Sequence, residues 1–241
     1  MRRRCSSRGF HGLTLAALAS VVGCNEGRAS RQASSSMLPT LAQGESIVIE
    51  KVAGPIARGD VITFRNPCQP EQEYVKRAIA LGGDTIELRC SVVFVNGKAV
   101  EARLVDPSCH YDEPDDRGRV TKRPCSRYHE TLDHAGYDVL GDPDRPTRRG
   151  PDLRDFPERG MPPPHCPGAV SDPGIGSATQ PSGRLVETRP EGSPTAPCEP
   201  QLHFEVPDGS IFVLGDNRSN SFDSRGFGAV PLGQVTGRIR R

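Results

Sequence analysis

Short runs in which apolar and polar positions alternate, each closed by a turn signal, dominate residues 46–95. They fall at 46–51, 60–64, 74–81, 84–89 and 92–95. A period of two marks strands with one buried face. Gly82-Gly83-Asp84 and Asn96-Gly97 punctuate them, and the second suits a two-residue hairpin with both central residues at positive φ. A further strand pair, 210–214 and 234–239, is expected to close the chain. No segment sustains a helical period, so the expected fold class is mainly β, an antiparallel sheet core.

Two stretches break the pattern. Residues 141–200 are more than a third Pro or Gly and poor in apolar residues, too few to offset the ordering entropy of a packed unit. They read as a loosely structured part of an insertion over 101–204, which separates two core segments, 24–100 and 205–241. At the other end, Met1-Arg2-Arg3-Arg4 precedes an apolar run from Leu13 to Val22 and then Gly23-Cys24. A basic start, a short apolar run and a small residue at the cut describe an export signal over 1–23. Val21-Val22-Gly23-Cys24 is a permissive lipobox, in which Cys24 would carry the lipid anchor; an ordinary signal peptide or a short retained anchor is the alternative.

Composition narrows the function. With 31 basic and 30 acidic side chains the net charge is +1, which gives no field for steering nucleic acid, and no Trp supplies a stacking surface. Beyond Cys5 and Cys24 there remain Cys68, Cys90, Cys109, Cys125, Cys166 and Cys198. An even number in an exported chain suits disulfides, with connectivity open. Zinc is the competing reading, but no two of the six are close neighbours, as structural zinc ligands usually are. No metal or other cofactor is expected.

Three segments carry chemistry. Ser34-Ser35-Ser36-Met37-Leu38-Pro39-Thr40 sets rigid and apolar residues behind a Ser-rich run that would otherwise read as a linker. In Tyr74-Val75-Lys76-Arg77-Ala78-Ile79, alternation puts Tyr74, Lys76 and Ala78 on one face and Val75, Arg77 and Ile79 on the other. One of the two cations is therefore expected to sit partly buried. Only four of the 31 basic residues are lysines, and only a lysine can lose its proton on burial, so Lys76 is the candidate base. The third segment, 214–226, is dense in Asp, Asn and Ser, yet Arg218, Ser221 and Phe222 break the calcium-loop template. A His-based triad is disfavoured: of six His only His203 lies near these segments, and no Gly-x-Ser-x-Gly elbow exists.

Together and in this order, the three segments resemble the type I signal peptidases, membrane-bound serine peptidases with a Ser–Lys dyad. The likeness extends to Arg58-Gly59-Asp60-Val61-Ile62-Thr63-Phe64 and, more weakly, to Val95-Asn96-Gly97-Lys98, and covers roughly 34–100 and 205–238. The resemblance implies Ser36 as nucleophile and Lys76 as general base. It implies the Ser34 hydroxyl and the Ser36 amide as oxyanion donors, with Ser221 orienting the Lys76 amine. Asp223 and Arg225 would pair to hold their loop, Asp216 and Asn217 would shape the same turn, and Met37, Leu38 and Pro39 would lie beside the substrate pockets. The implied substrates are exported preproteins bearing signal peptides, cut at the extracytoplasmic membrane surface. A peptidase devoted to one pilus or conjugation client, and a silent β-fold lipoprotein acting as a binding module, remain as alternatives. The family commonly carries one or more transmembrane helices ahead of the Ser; here only the short apolar run is seen, and a lipidated Cys24 would replace that anchor.

Overall fold

The computed structural model describes residues 27–115, 117–144, 148, 155–160, 164, 183–189 and 196–240. The expected export segment, Cys24 and most of the Pro/Gly-rich stretch lie outside them. Fifteen strands follow in chain order among the described residues. The first four are β1 (Arg28–Arg31), β2 (Ser46–Glu50), β3 (Val61–Asn66) and β4 (Gln69–Leu81). Then come β5 (Thr85–Arg89), β6 (Val92–Val95) and β7 (Lys98–Ala99). The insertion contributes β8 (Glu101–Pro114), β9 (Val120–Leu132), β10 (Ala135–Gly141), β11 (Arg184–Glu187) and β12 (Leu202–Glu205). The chain then runs through β13 (Ser210–Leu214), β14 (Val230–Pro231) and β15 (Val235–Ile239).

The strands build three antiparallel sheets. A seven-stranded sheet has the order β1-β2-β15-β3-β4-β13-β14, a five-stranded sheet the order β11-β12-β5-β6-β7, and β10-β9-β8 form the third. Six of the seven strands expected from alternation start and stop within a residue or two of the observed limits, and β4 begins five residues early. The expected pairing of 210–214 with 234–239 is corrected. β13 pairs with β4 and β14, whereas β15 inserts between β2 and β3. The polar loop and short helix between them carry the chain across the sheet.

Three apolar clusters hold the sheets together. Ile79, Phe204, Phe212, Leu214 and Phe156 fill the largest, with the three phenylalanine rings 5.2–5.7 Å apart. Ile62, Phe64, Ala78 and Phe227 form the second, and Met37, Leu41, Ile47, Ile49, Val61 and Ile239 the third. The alternation along β4 is visible in this partition, for Ala78 faces the second cluster and Ile79 the first. Asn96 and Gly97 make the β6–β7 turn at φ 52° and 74°, with Val95 opposite Lys98.

Disulfides join Cys90 to Cys198 and Cys109 to Cys125, and Cys68 is also disulfide-bonded. No helix among the described residues is long and apolar enough to cross a membrane.

Candidate active site

The 34–41 segment folds as a single 3-10 turn, Ser35–Met37. Ser34 caps it: its hydroxyl accepts from the Ser36 amide at 3.4 Å and donates to the Ser36 hydroxyl at 3.0 Å. The turn is seated from below by Met37, which is fully buried beside Leu41 and Ile239 in the third cluster. That corrects the expectation that Met37 borders a substrate pocket, since it has no free surface to offer. Pro39 faces a different cavity, shared with Thr40 and Arg77, and Leu38 borders neither space.

Lys76 projects from β4 toward this turn. Its Nζ donates to the Ser36 hydroxyl at 2.8 Å and to the Val75 carbonyl at 3.1 Å, and it lies 5.3 Å from the Tyr74 ring centroid. The side chain is only 4% exposed. Burial pushes its pKa down to about 8 from an ordinary 10.5, outweighing the opposing pull of Asp223 and Asp216. At neutral pH about a tenth of the amines are then unprotonated, against about one in a few thousand for a free lysine.

Sequence alternation placed one cation in the interior, but both are there. Arg77, 5% exposed on the opposite face, donates from Nε and Nη2 to Asp216 at 2.8 and 2.5 Å and stacks 3.9 Å from the Tyr137 ring centroid. Asp216 thus reaches beyond its own turn and anchors it to β4. Asn217 does the same for the nucleophile turn. Its amide donates to the Ser36 carbonyl at 3.0 Å and its side chain to the Ser35 carbonyl at 3.3 Å. Gly215 lets the two segments meet, because a Cβ there would stand 2.6 Å from the Ser36 carbonyl oxygen and 2.2 Å from Ser221 Oγ.

Asp223 and Arg225 pair through two contacts of 2.8 and 2.9 Å. Asp223 also caps the four-residue helix Ser224–Phe227 and accepts from the Gly215 amide. Burial alone would raise its carboxyl, yet Arg225 and these hydrogen bonds hold it below the usual carboxylate range. Ser221 is a correction: its hydroxyl is buried against Gly215 without a hydrogen bond to Lys76, and the Val75 carbonyl takes that place at the amine. The Ser221 hydroxyl lies instead beside Gly215, in space a Cβ there would fill, and helps hold the Asp223 carboxyl down.

Ser34, Ser36 and Lys76 open on one cleft of about 690 Å³. Ser30 to Ser36 form one wall and Gln72 to Lys76 another, with Glu113, Pro114, Asn220 and Phe222 at the rim. Glu113 and Asn220 went unnoticed in the sequence, and Glu113 lies 78 positions from the serine it touches, so no local pattern marks it. No group of His, Cys, Asp or Glu among the described residues is arranged to hold a metal ion. The chemistry on offer is a hydroxyl nucleophile, an amine able to take its proton, and two donors beside the same oxygen.

Comparison with known proteins shows the family. Residues 10–241 match the profile of the family described as signal peptidase, peptidase S26. The chain is 28% identical over 207 residues to the signal peptidase I of Bacillus caldolyticus, covering 85% of this chain and 72% of that one. It is 29% identical over 219 residues to that of Aquifex aeolicus, covering 85% and 71%. A crystal structure of an Enterococcus faecalis signal peptidase I aligns over 78% of this chain and all of its own, at 20% identity and a TM-score of 0.35.

Proposed function

We propose, from the premise that the chain belongs to the signal peptidase family, peptidase S26, that it is a serine endopeptidase removing signal peptides by a Ser36–Lys76 dyad. The observation that carries the mechanism is the 2.8 Å contact between a buried, easily deprotonated amine and the Ser36 hydroxyl. The unprotonated Lys76 amine takes the hydroxyl proton as Ser36 Oγ attacks the scissile carbonyl. The Ser36 amide and the Ser34 hydroxyl turn to the oxyanion that forms, a contribution worth about 10²–10³ in rate per donor. The Lys76 ammonium then protonates the leaving amine, which leaves Ser36 acylated and the amine neutral again. A water molecule, deprotonated by the same amine, attacks the acyl carbon; the bond to Ser36 Oγ breaks and the ammonium returns its proton to that oxygen, restoring the enzyme. The apposed walls, Ser30 to Ser36 and Gln72 to Lys76, suit an extended polypeptide segment. On this reading the enzyme works at the extracytoplasmic membrane surface, with Cys24 as its proposed lipid anchor.

Purified Ser36→Ala, Lys76→Arg and Ser34→Ala chains, incubated with a signal-peptide-bearing preprotein, test this reading. The first two should cleave nothing, since guanidinium stays protonated, and the third should be slower by about 10²–10³. Undiminished cleavage by Ser36→Ala would overturn it.

A further inference from the structure

Strands β8 and β9 form an arm whose surface is mostly exposed and whose middle is tied by Cys109–Cys125. Such a ribbon is expected to project freely into solvent, yet its far end returns to the nucleophile turn. Glu113 accepts from Asn220 Nδ2, and from the Ser35 hydroxyl at 3.3 Å. Asn220 Nδ2 also donates to Ser35 Oγ at 3.1 Å and lies 3.4 Å from the Tyr111 hydroxyl of the arm. Arg123, across on β9, donates to the other Glu113 oxygen at 2.7 Å. Glu113 and Pro114 line the same cleft as Ser36 and Lys76.

We propose that the β8–β9 arm is part of the active site and that Glu113 is a positioning residue for the Ser35–Ser36 turn, a role that rests on the dyad reading. The turn is held on its inner side by Asn217, which takes the Ser35 and Ser36 carbonyls, and by Met37 below. Ser35 Oγ is the handle on its outer side, and Glu113 with Asn220 grips it. Burial favours the neutral acid, but Arg123, Asn220 and Ser35 hold the Glu113 carboxyl below its ordinary range. An ionised acceptor makes hydrogen bonds roughly twice as strong as a neutral one. Asp115 in the same hairpin pairs with Arg119 of the hairpin itself, whereas Glu113 reaches another element, as does Glu130 near the base of the arm through Arg218 and Arg148. A nucleophile displaced by a fraction of an ångström loses rate without losing substrate affinity, because only the attack depends on its exact line of approach.

The test is a double-mutant cycle in the full chain with Ser35→Ala, Glu113→Ala and the pair, measuring kcat and KM separately on a preprotein. Each single variant should lower kcat about tenfold with KM changed less than twofold, and the pair should be no slower than the worse single. Glu113→Gln, whose amide oxygen still accepts from Asn220 and Ser35, should recover most of the loss. If Glu113→Ala does not fold, Asn220→Ala takes its place in the cycle. Multiplicative losses, or a defect confined to KM, would overturn the proposal while leaving the dyad intact. Cleavage by Ser36→Ala in the same assay would overturn both.

Discussion

Lys76 is the residue at which stability and chemistry pull apart. A lysine whose pKa falls from 10.5 to about 8 on folding binds its proton more weakly in the folded chain than in the unfolded one. The unfolded state therefore holds more protons between those two values, and stability rises with pH across that window. Below pH 8 the buried amine costs about 3 kcal/mol, at about 1.4 kcal/mol per unit. Lys76→Met, which removes the titrating group and keeps the stem, should abolish cleavage and raise stability at pH 7 by about 1–3 kcal/mol. Denaturant titration at pH 7 and again at pH 10.5 checks this, with the gain shrinking at the higher pH. For the unaltered chain, kcat/KM should climb tenfold per pH unit below pH 8 and level off above it. A profile flat from pH 6 to 9 would contradict that assignment. Ser36 and Lys76 were legible in the sequence because short motifs and a bias against lysine mark them. The geometry of Ser221 was not, since the path of one loop decides which neighbour a hydroxyl meets.

At the scale of elements, the site is a meeting of three segments, and Gly215 sets how closely two of them approach. Gly215→Ala would force apart the 215–221 loop and the Ser36 carbonyl, which stands 2.6 Å from the added carbon. It should lower kcat by about 10²-fold, the loss a displacement near 1 Å brings, and circular dichroism should show the sheets intact. The strands of the two larger sheets were readable wherever one face is buried, because alternation records burial directly. β8 and the first half of β9 left no such trace. Glu101–Pro114 is exposed along nearly its whole length and carries two prolines, so hydrogen-bonded pairing with β9 and the Cys109–Cys125 bond define it rather than a hydrophobic face. The same polarity hid Glu113, whose partners come from distant parts of the chain.

For the whole molecule, the Cys90–Cys198 bond closes a span of 108 residues from β5 to the approach of β12. Removing it with Cys90→Ser and Cys198→Ser should cost about 2–5 kcal/mol. Thermal unfolding should register that loss, while kcat of the folded fraction stays near its original value because neither cysteine borders the cleft. Disulfide bonding was legible in the even set of cysteines, but which sulfurs meet depends on sheets joined over a hundred residues. The anchor is testable in the same preparation: mass spectrometry of the mature N-terminus should find an acylated Cys24, and an unmodified or uncut terminus would remove the lipid from the account.

The position of β15 bears on what holds the nucleophile turn. Ile239 belongs to the cluster in which Met37 of the nucleophile turn is buried, and its strand fills the gap between β2 and β3. Without residues 235–239 Met37 would have no completed floor, and β2 and β3 no strand between them. A chain cut short before residue 235 would thus keep Ser36 and Lys76 yet lose the support that aims one at the other.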